Sequence, residues 1–341
     1  MAVASAPAGA RSILERPPAA RLPDRILRYG LLGLSSLILV LIVFFFVRLI
    51  SEAHPAFSHF GLFGFTFGQN WNVEASQFHA LPLVEGTIVT SAVALIIGVP
   101  VAVAAALFIV ELCPRRLSQP LAILVDLLAA VPSVVYGLWG FFFLVPKLHG
   151  IETDVARALK WIPFIGGSSI TTTGPNLFIT GLVLAIMILP IVCAISREVI
   201  SRVPTDHKEA ALGLGATRWE MIRLAVLPYS RVGIVSGAML GLGRAIGETI
   251  AAVFLLGDAS RIPQHLFGQG YSLAAVIANE FGEAQGLHRS ALFAAGLVLF
   301  VFTLLVNGAA RGIVARSSRT SRVPAGGAGG GGASAAAAVG A

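Results

Sequence analysis

Arg244 and Glu248 are two opposite charges inside an apolar segment that is long enough to cross a bilayer. A charge at the centre of a membrane helix costs about 2.5–3.5 kcal/mol to insert, so each of them needs a partner or a function. Residues four apart lie on one helix face, and we therefore expect the two side chains to lie within reach of each other. A guanidinium can hold two oxygens of an oxyanion, Glu248 would hold Arg244 when no anion is present, and Thr249 adds a hydroxyl. These three residues form the predicted anion path; the alternative is an ion pair that only fixes the helix to a neighbour.

Patterns typical of catalytic or metal sites are missing from the sequence. Cys113 and Cys193 are isolated and no His-Glu-x-x-His pattern occurs, so we predict no metal site and no disulfide framework. None of the three lysines, Lys147, Lys160 and Lys208, follows a glycine, as the lysine of a phosphate-binding P-loop does. We therefore predict a chain that is not an enzyme and binds no cofactor itself.

The composition is typical of a membrane protein. Hydrophobic residues make up 56% of the 341 residues and charged residues only 12%. The net charge of +7 comes from basic residues at the ends of apolar segments, a distribution that excludes nucleic-acid binding. The apolar runs are continuous, which predicts an all-α polytopic membrane protein and not a β-barrel. Six spans are predicted, at about Leu31–Ile50, Val84–Val110, Pro120–Val145, Leu177–Ile195, Val232–Leu256 and Ala291–Val314.

The basic residues also predict orientation. Most of the 24 Lys and Arg residues lie before the first span, in the loops after spans two and four, and from Arg311 onward. The positive-inside rule then places both termini in the cytoplasm and the chain, surrounded by lipid, in the plasma (inner) membrane. We predict a disordered tail over 1–28, a membrane domain over 29–316 and a disordered Gly/Ala-rich tail over 317–341.

The loop between the fourth and fifth spans, about residues 199–230, carries the most specific motif. It resembles the EAA loop of ABC-importer permeases through Glu209, Ala210, Ala211, Gly215, Leu227 and Pro228. Ala225 stands where that pattern has isoleucine. The resemblance implies a type I importer permease with a cytoplasmic coupling helix between the fourth and fifth spans. That helix would dock into an ATP-binding subunit, which would hold the ATP and Mg.

Three further blocks resemble the permease subunits of the phosphate-specific ABC importer. They are "LPLVEGTIVTS" (Leu81–Ser91), "AAVPSVVYGLWG" (Ala129–Gly140) and "GLGRAIGET" (Gly241–Thr249). The stretch "FGLFGFTFGQNWN" (Phe60–Asn72) favours the C-type permease over its A-type sister. The resemblance runs from about residue 57 to 314 and implies import of inorganic phosphate. It implies as partners a sister permease, a dimer of ATP-binding subunits and an extracytoplasmic phosphate-binding protein.

Two alternatives remain open for the function. A permease for another oxyanion, such as molybdate or sulfate, shares every physical argument. An ion-coupled secondary anion transporter would use Glu248 to carry a proton and would need no docking helix. Asp126, a charge in the third predicted span, is expected to be hydrated near the cytoplasmic end or to pair with a base on the sister subunit.

Overall fold

The computed structural model describes residues 22–162, 164–165, 174–259, 262–263 and 265–319, and these are almost wholly helical. The α-helices are α1 Leu22–Phe60, α2 Leu62–Phe67, α3 Leu81–Leu107, α4 Arg115–Leu128, α5 Ser133–Trp139, α6 Val145–Ala158, α7 Leu177–Ser201, α8 Thr205–Gly213, α9 Arg218–Met221, α10 Leu227–Ile246, α11 Ile250–Leu256, α12 Leu273–Glu280 and α13 Gly286–Arg319. Two-residue strands β1 (Trp71–Asn72) and β2 (Gln77–Phe78) pair antiparallel. Three π-helical segments continue or join helices: Phe108–Leu112, Gly140–Leu144 and Ile222–Val226.

Six helical segments among the described residues are long and apolar enough to span a membrane, which confirms the predicted number. Their bounds are Ile26–Phe60, Leu81–Leu112, Ser133–Ala158, Leu177–Ser201, Arg218–Ile246 and Gly286–Gly312. The prediction of an all-α polytopic membrane protein is likewise confirmed.

The third span differs from the prediction of Pro120–Val145. Helix α4 ends at Leu128, and a new helix begins after Pro132, which has extended backbone angles. A proline also disfavours the helical conformation of the residue before it, so the apolar run is broken at Val131. As a result, α4 is a separate helix with no buried residues, and the span continues through α6 to Ala158.

The fifth span also differs from the predicted Val232–Leu256. Helix α10 ends at Ile246, Gly247 caps it, and the chain turns before α11 begins at Ile250. Glycine is a poor helix former because it loses the most backbone freedom. Gly241 and Gly243 fall in the last two turns of α10, and Gly247 follows its last residue. Arg244 and Glu248 therefore lie on opposite sides of a helix break.

The predicted tails are shorter than expected where the structure describes them. Residues 22–28 and 317–319 were predicted as disordered but belong to α1 and α13. Pro23 does not prevent this, because proline is tolerated in the first turn of a helix. The remaining parts of both tails, 1–21 and 320–341, lie outside the described residues.

Helix α7 lies at the centre of the bundle. In the most apolar stretch of this span 61% of the residues are buried, whereas in that of the first span 0% are buried. Helices α3 and α7 approach closely through glycines: Gly98 lies against the backbone of Ala185, and a Cβ on Gly181 would overlap Val93. Small residues at such contacts let membrane helices pack tightly.

The loops at the end of the bundle opposite α8 are tied together. Trp71 and Phe78 are buried partners in the β1–β2 hairpin. The indole Nε1 of Trp71 donates to Glu280 Oε2 at 3.1 Å, and His288 Nε2 lies 2.8 Å from the same oxygen. The segment after α1 is thus attached to α12 and α13.

At this end of the bundle, the backbone of Tyr271 packs against α3. A Cβ on Gly86 would overlap the backbone oxygen of Tyr271, so no larger residue fits there without a shift. Burial raises the pKa of the Tyr271 phenol above its usual range, although the Asn279 amide donates to its oxygen at 2.8 Å. The phenol is therefore neutral and acts as a hydrogen-bonding group.

Candidate functional site

Arg244 lies on a cavity of about 760 Å³. Ser236, Leu240 and Arg244 are spaced four apart on α10, share one face and line this cavity. Ile191 of α7 and residues of α13 form other walls. The Arg244 side chain is exposed and makes no ion pair with any residue that the structure describes. Arg244 is therefore available to a ligand in the cavity.

Glu248 and Thr249 are not placed as predicted. The expected ion pair between Arg244 and Glu248 is wrong, because the helix ends between them and they no longer share a face. The Glu248 carboxylate instead accepts from the backbone N–H of Ala251 at 3.3 Å, at the start of α11. Thr249 precedes α11, and its hydroxyl does not cap that helix. Both residues are half-buried near the break and are absent from the lining of the cavity.

Sequence reasoning missed two residues of the cavity. Asn307 and Arg311 of α13 line it together with Arg244. Arg311 was counted with the C-terminal tail, but it lies inside α13, which continues to Arg319. The four-residue spacing of Asn307 and Arg311, which places them on one helix face, was the signal that could have found them.

A helix, α8, lies at the position of the predicted coupling helix, and the motif residues divide between two of its sides. Glu209 and Ala210 are exposed, whereas Ala211 is half-buried against the core. Leu214, just after the helix, is 90% exposed and Trp219 of α9 is 64% exposed. Exposed large apolar side chains on a polar loop are typical of an interaction surface. We call Glu209, Ala210, Leu214 and Trp219 the docking face.

Gly215 fixes the turn that presents this face. Its φ of +85° is left-handed, a conformation that glycine adopts without strain. The N–H groups of Gly215 and Ala216 donate to the carbonyls of Leu212 at 3.0 Å and Ala211 at 3.2 Å, the two bonds of a Schellman helix end. This turn explains why the motif needs glycine at this position.

The N-terminus of α9 is capped by side chains. The Thr217 hydroxyl accepts from the Glu220 backbone N–H, and the Glu220 carboxylate accepts from the Thr217 N–H at 2.7 Å. This capping box satisfies the free N–H groups at the start of α9 from both sides. The loop is therefore a defined structure between α8 and the fifth span.

A mostly buried ion pair ties α8 to the second span. Lys208 Nζ lies 2.6 Å from Glu111 Oε1, and their side chains are 19% and 8% exposed. The sequence placed Glu111 at a span end but gave no sign of its partner, because 97 residues separate the two. The pair therefore connects α8 to the end of the second span.

Asp126 also has a partner within the chain. Its carboxylate pairs with Arg197 of α7, whose side chain is 15% exposed. The Asp126 side chain is 53% exposed, which agrees with the expected hydration, whereas its ion pair within the chain was not predicted. The cause is the break at Pro132, which makes α4 a separate helix that packs along α7.

Metal binding finds no support in the described parts of the chain, where no three His, Cys, Asp or Glu side chains gather as ligands.

Residues 98–319 match the model of a family described as the binding-protein-dependent transport system inner membrane component. The phosphate transport system permease protein PstC of Mesorhizobium japonicum is 41% identical over 301 residues, which cover 86% of this chain and 91% of that protein. The protein of the same name from Pasteurella multocida is 42% identical over 272 residues, covering 79% and 84%. A solved structure of a bacterial ABC transporter involved in the import of the acidic polysaccharide alginate aligns with a TM-score of 0.51 and 20% identity. It covers 87% of this chain and 99% of its own, and it shows a shared fold.

Proposed function

This chain belongs to the family of binding-protein-dependent transport system inner membrane components, and from that premise we propose that it is a permease subunit of an ATP-driven importer of inorganic phosphate. The similarity to two phosphate transport system permeases over more than three quarters of the chain supports phosphate as the substrate. The chain forms half of the translocation path and carries out no covalent chemistry.

The partners follow from this role. A sister permease completes the path, a dimer of ATP-binding subunits holds ATP and Mg, and an extracytoplasmic phosphate-binding protein delivers the substrate. Both termini lie in the cytoplasm, so that α8 faces the ATP-binding subunits. The excess of Lys and Arg on that side supports this orientation.

The observation that carries the proposal is the available guanidinium of Arg244 in the cavity. Arginine binds phosphate through two parallel N–H···O bonds, and the apolar side chains of Ile191 and Leu240 line the cavity beside it. Since Glu248 lies beyond the helix break, it does not neutralise Arg244 in this structure. Release follows when a change in helix packing brings the carboxylate closer to compete for the guanidinium.

The docking face transmits the energy. When ATP closes the ATP-binding dimer, α8 moves with it, because Leu214 and Trp219 are free to insert into a groove of that dimer. The Lys208–Glu111 pair and the continuous helix from Arg218 to Ile246 pass this motion to the second and fifth spans. The cavity then opens alternately to each side.

Uptake of labelled phosphate into proteoliposomes that contain this chain and its partners tests the proposal. Wild type should import phosphate only with ATP. Arg244→Gln should lose import but retain ATP hydrolysis, because the docking face is unchanged. The control is Arg202→Gln, which removes an exposed arginine paired with Glu198 and should import normally.

The possible outcomes separate the alternatives. Uptake driven by an ion gradient without ATP would refute the importer. Equal inhibition by excess sulfate or molybdate would show a general oxyanion permease. Normal import by Arg244→Gln would remove Arg244 from the path.

A further inference from the structure

The cavity at Arg244 contains a second guanidinium, that of Arg311. Asn307 and Arg311 project from one face of α13 towards the face of α10 that carries Arg244. Arg311 is exposed and makes no ion pair with any of the residues that the structure describes. Two available arginines thus border one space.

The cavity is built for negative charge. Its polar lining consists of two arginines, Asn307 and Ser236, and no Asp or Glu lies among its described lining residues. A cleft lined by one sign of charge concentrates ions of the other sign, and low-dielectric walls strengthen this effect. Asn307 offers two N–H donors, whereas the Ser236 hydroxyl already donates to the Val232 carbonyl at 2.8 Å.

The two arginines lie on different walls of the cavity, Arg244 on α10 and Arg311 on α13. Arg244 is in the last turn of α10, which ends at Ile246. Arg311 is in the C-terminal part of α13, which continues to Arg319. An anion in the cavity therefore has a guanidinium on each of two walls.

We propose that Arg311 and Asn307 form a second binding station for a phosphate group, on the α13 wall of the cavity. The guanidinium binds two phosphate oxygens and the Asn307 amide donates to a third. In the import cycle this station draws the anion away from Arg244 before its release. This step rests on the proposed function; the binding site itself does not.

Two sources can supply the phosphate group. One is the free anion in transit, and the other is the headgroup of an anionic phospholipid, since the Arg311 side chain is exposed. The chemistry at the guanidinium is the same for both, so the experiment contains one arm for each source.

The first arm measures equilibrium binding of inorganic phosphate to the nucleotide-free complex in lipid-depleted detergent. Arg311→Gln should weaken binding about tenfold to a hundredfold, the range for loss of a hydrogen-bonded charged group. Arg311→Lys keeps the charge without the planar fork and should weaken it less. Arg202→Gln, which is remote from the cavity lining, should bind as wild type does.

The second arm measures how much phosphatidylglycerol remains with the complex after extraction from vesicles of phosphatidylglycerol and phosphatidylcholine. Loss of retained phosphatidylglycerol in Arg311→Gln, with phosphate binding unchanged, assigns the station to a headgroup. Loss of phosphate binding alone assigns it to the free anion. If both Arg311 variants match wild type in both arms, the station does not exist.

These measurements are independent of transport. If the wild-type complex imports no phosphate with ATP, the proposed function fails, while the binding arms still decide whether Arg311 holds a phosphate group. If Arg311→Gln does not fold, Arg311→Lys gives the decision, because its charge is retained.

Discussion

Gly215 and Gly213 offer a matched test of the coupling loop. Both have open space where a Cβ would be added, so neither alanine meets a clash. They differ in backbone conformation: Gly215 has a φ of +85°, whereas Gly213 is the last residue of α8. The same methyl group therefore has opposite consequences at the two positions.

The magnitudes follow from the backbone alone. An L-residue in the left-handed conformation costs about 1–2 kcal/mol, so Gly215→Ala destabilises the turn by that amount. Alanine at Gly213 should leave the loop unchanged or stabilise it by up to about 1 kcal/mol, because glycine is the poorer helix former. A penalty of 1–2 kcal/mol lowers the ratio of the native loop to other, unstrained loop conformations about 5- to 30-fold.

The assay is the affinity of the ATP-binding subunit for the membrane subunits in nanodiscs, together with ATP-dependent phosphate uptake. Gly215→Ala should weaken docking and reduce uptake, while Gly213→Ala should retain both. If the two variants behave alike, the shape of the turn at Gly215 does not control docking and the reasoning is wrong. Thermal unfolding of the membrane subunits should be nearly unchanged in both, which separates a local effect from global unfolding.

Two further predictions concern stability in detergent. Lys208→Met leaves Glu111 without its partner and should lower the free energy of unfolding by about 3 kcal/mol. Adding Glu111→Leu removes the unpaired charge and should recover most of this loss. If stability is not recovered, the ion pair is not the cause. Gly86→Ala should lower the melting temperature, because the added Cβ meets the Tyr271 backbone oxygen. Gly308→Ala should not lower it, because Gly308 has open space around it. Equal melting temperatures of the two variants would contradict the close contact at Gly86.

Hydropathy was sufficient for the number of spans but not for all of their bounds. The apolar run from Pro120 to Val145 reads as one segment, yet Pro132 divides it into an amphipathic helix and the start of a span. Average hydropathy does not register where a single residue redirects the backbone. The same is true of Gly247, which ends α10 inside an apolar run.

The motif residues of the coupling loop could be predicted from local sequence because their roles are local. The turn at Gly215 and the helix α8 depend on neighbours within a few residues. The partners of Asp126 and Glu111 could not be predicted in this way, because they arrive from helices far along the chain. Arg311 was missed for the same reason, since only the packing of α13 beside α10 brings it to the cavity of Arg244.

The helix break at Gly247 makes the separation of Arg244 and Glu248 an adjustable distance. On an unbroken helix their Cβ atoms would be held about 5–6 Å apart whatever the bundle did. Instead, Arg244 travels with α10, which packs mainly on α7, and Glu248 travels with α11, which packs mainly on α5. The fourth span therefore positions Arg244, and the third span positions Glu248. A change in the angle between these two spans would change the distance between the two charges, and with it the electric field beside Arg244.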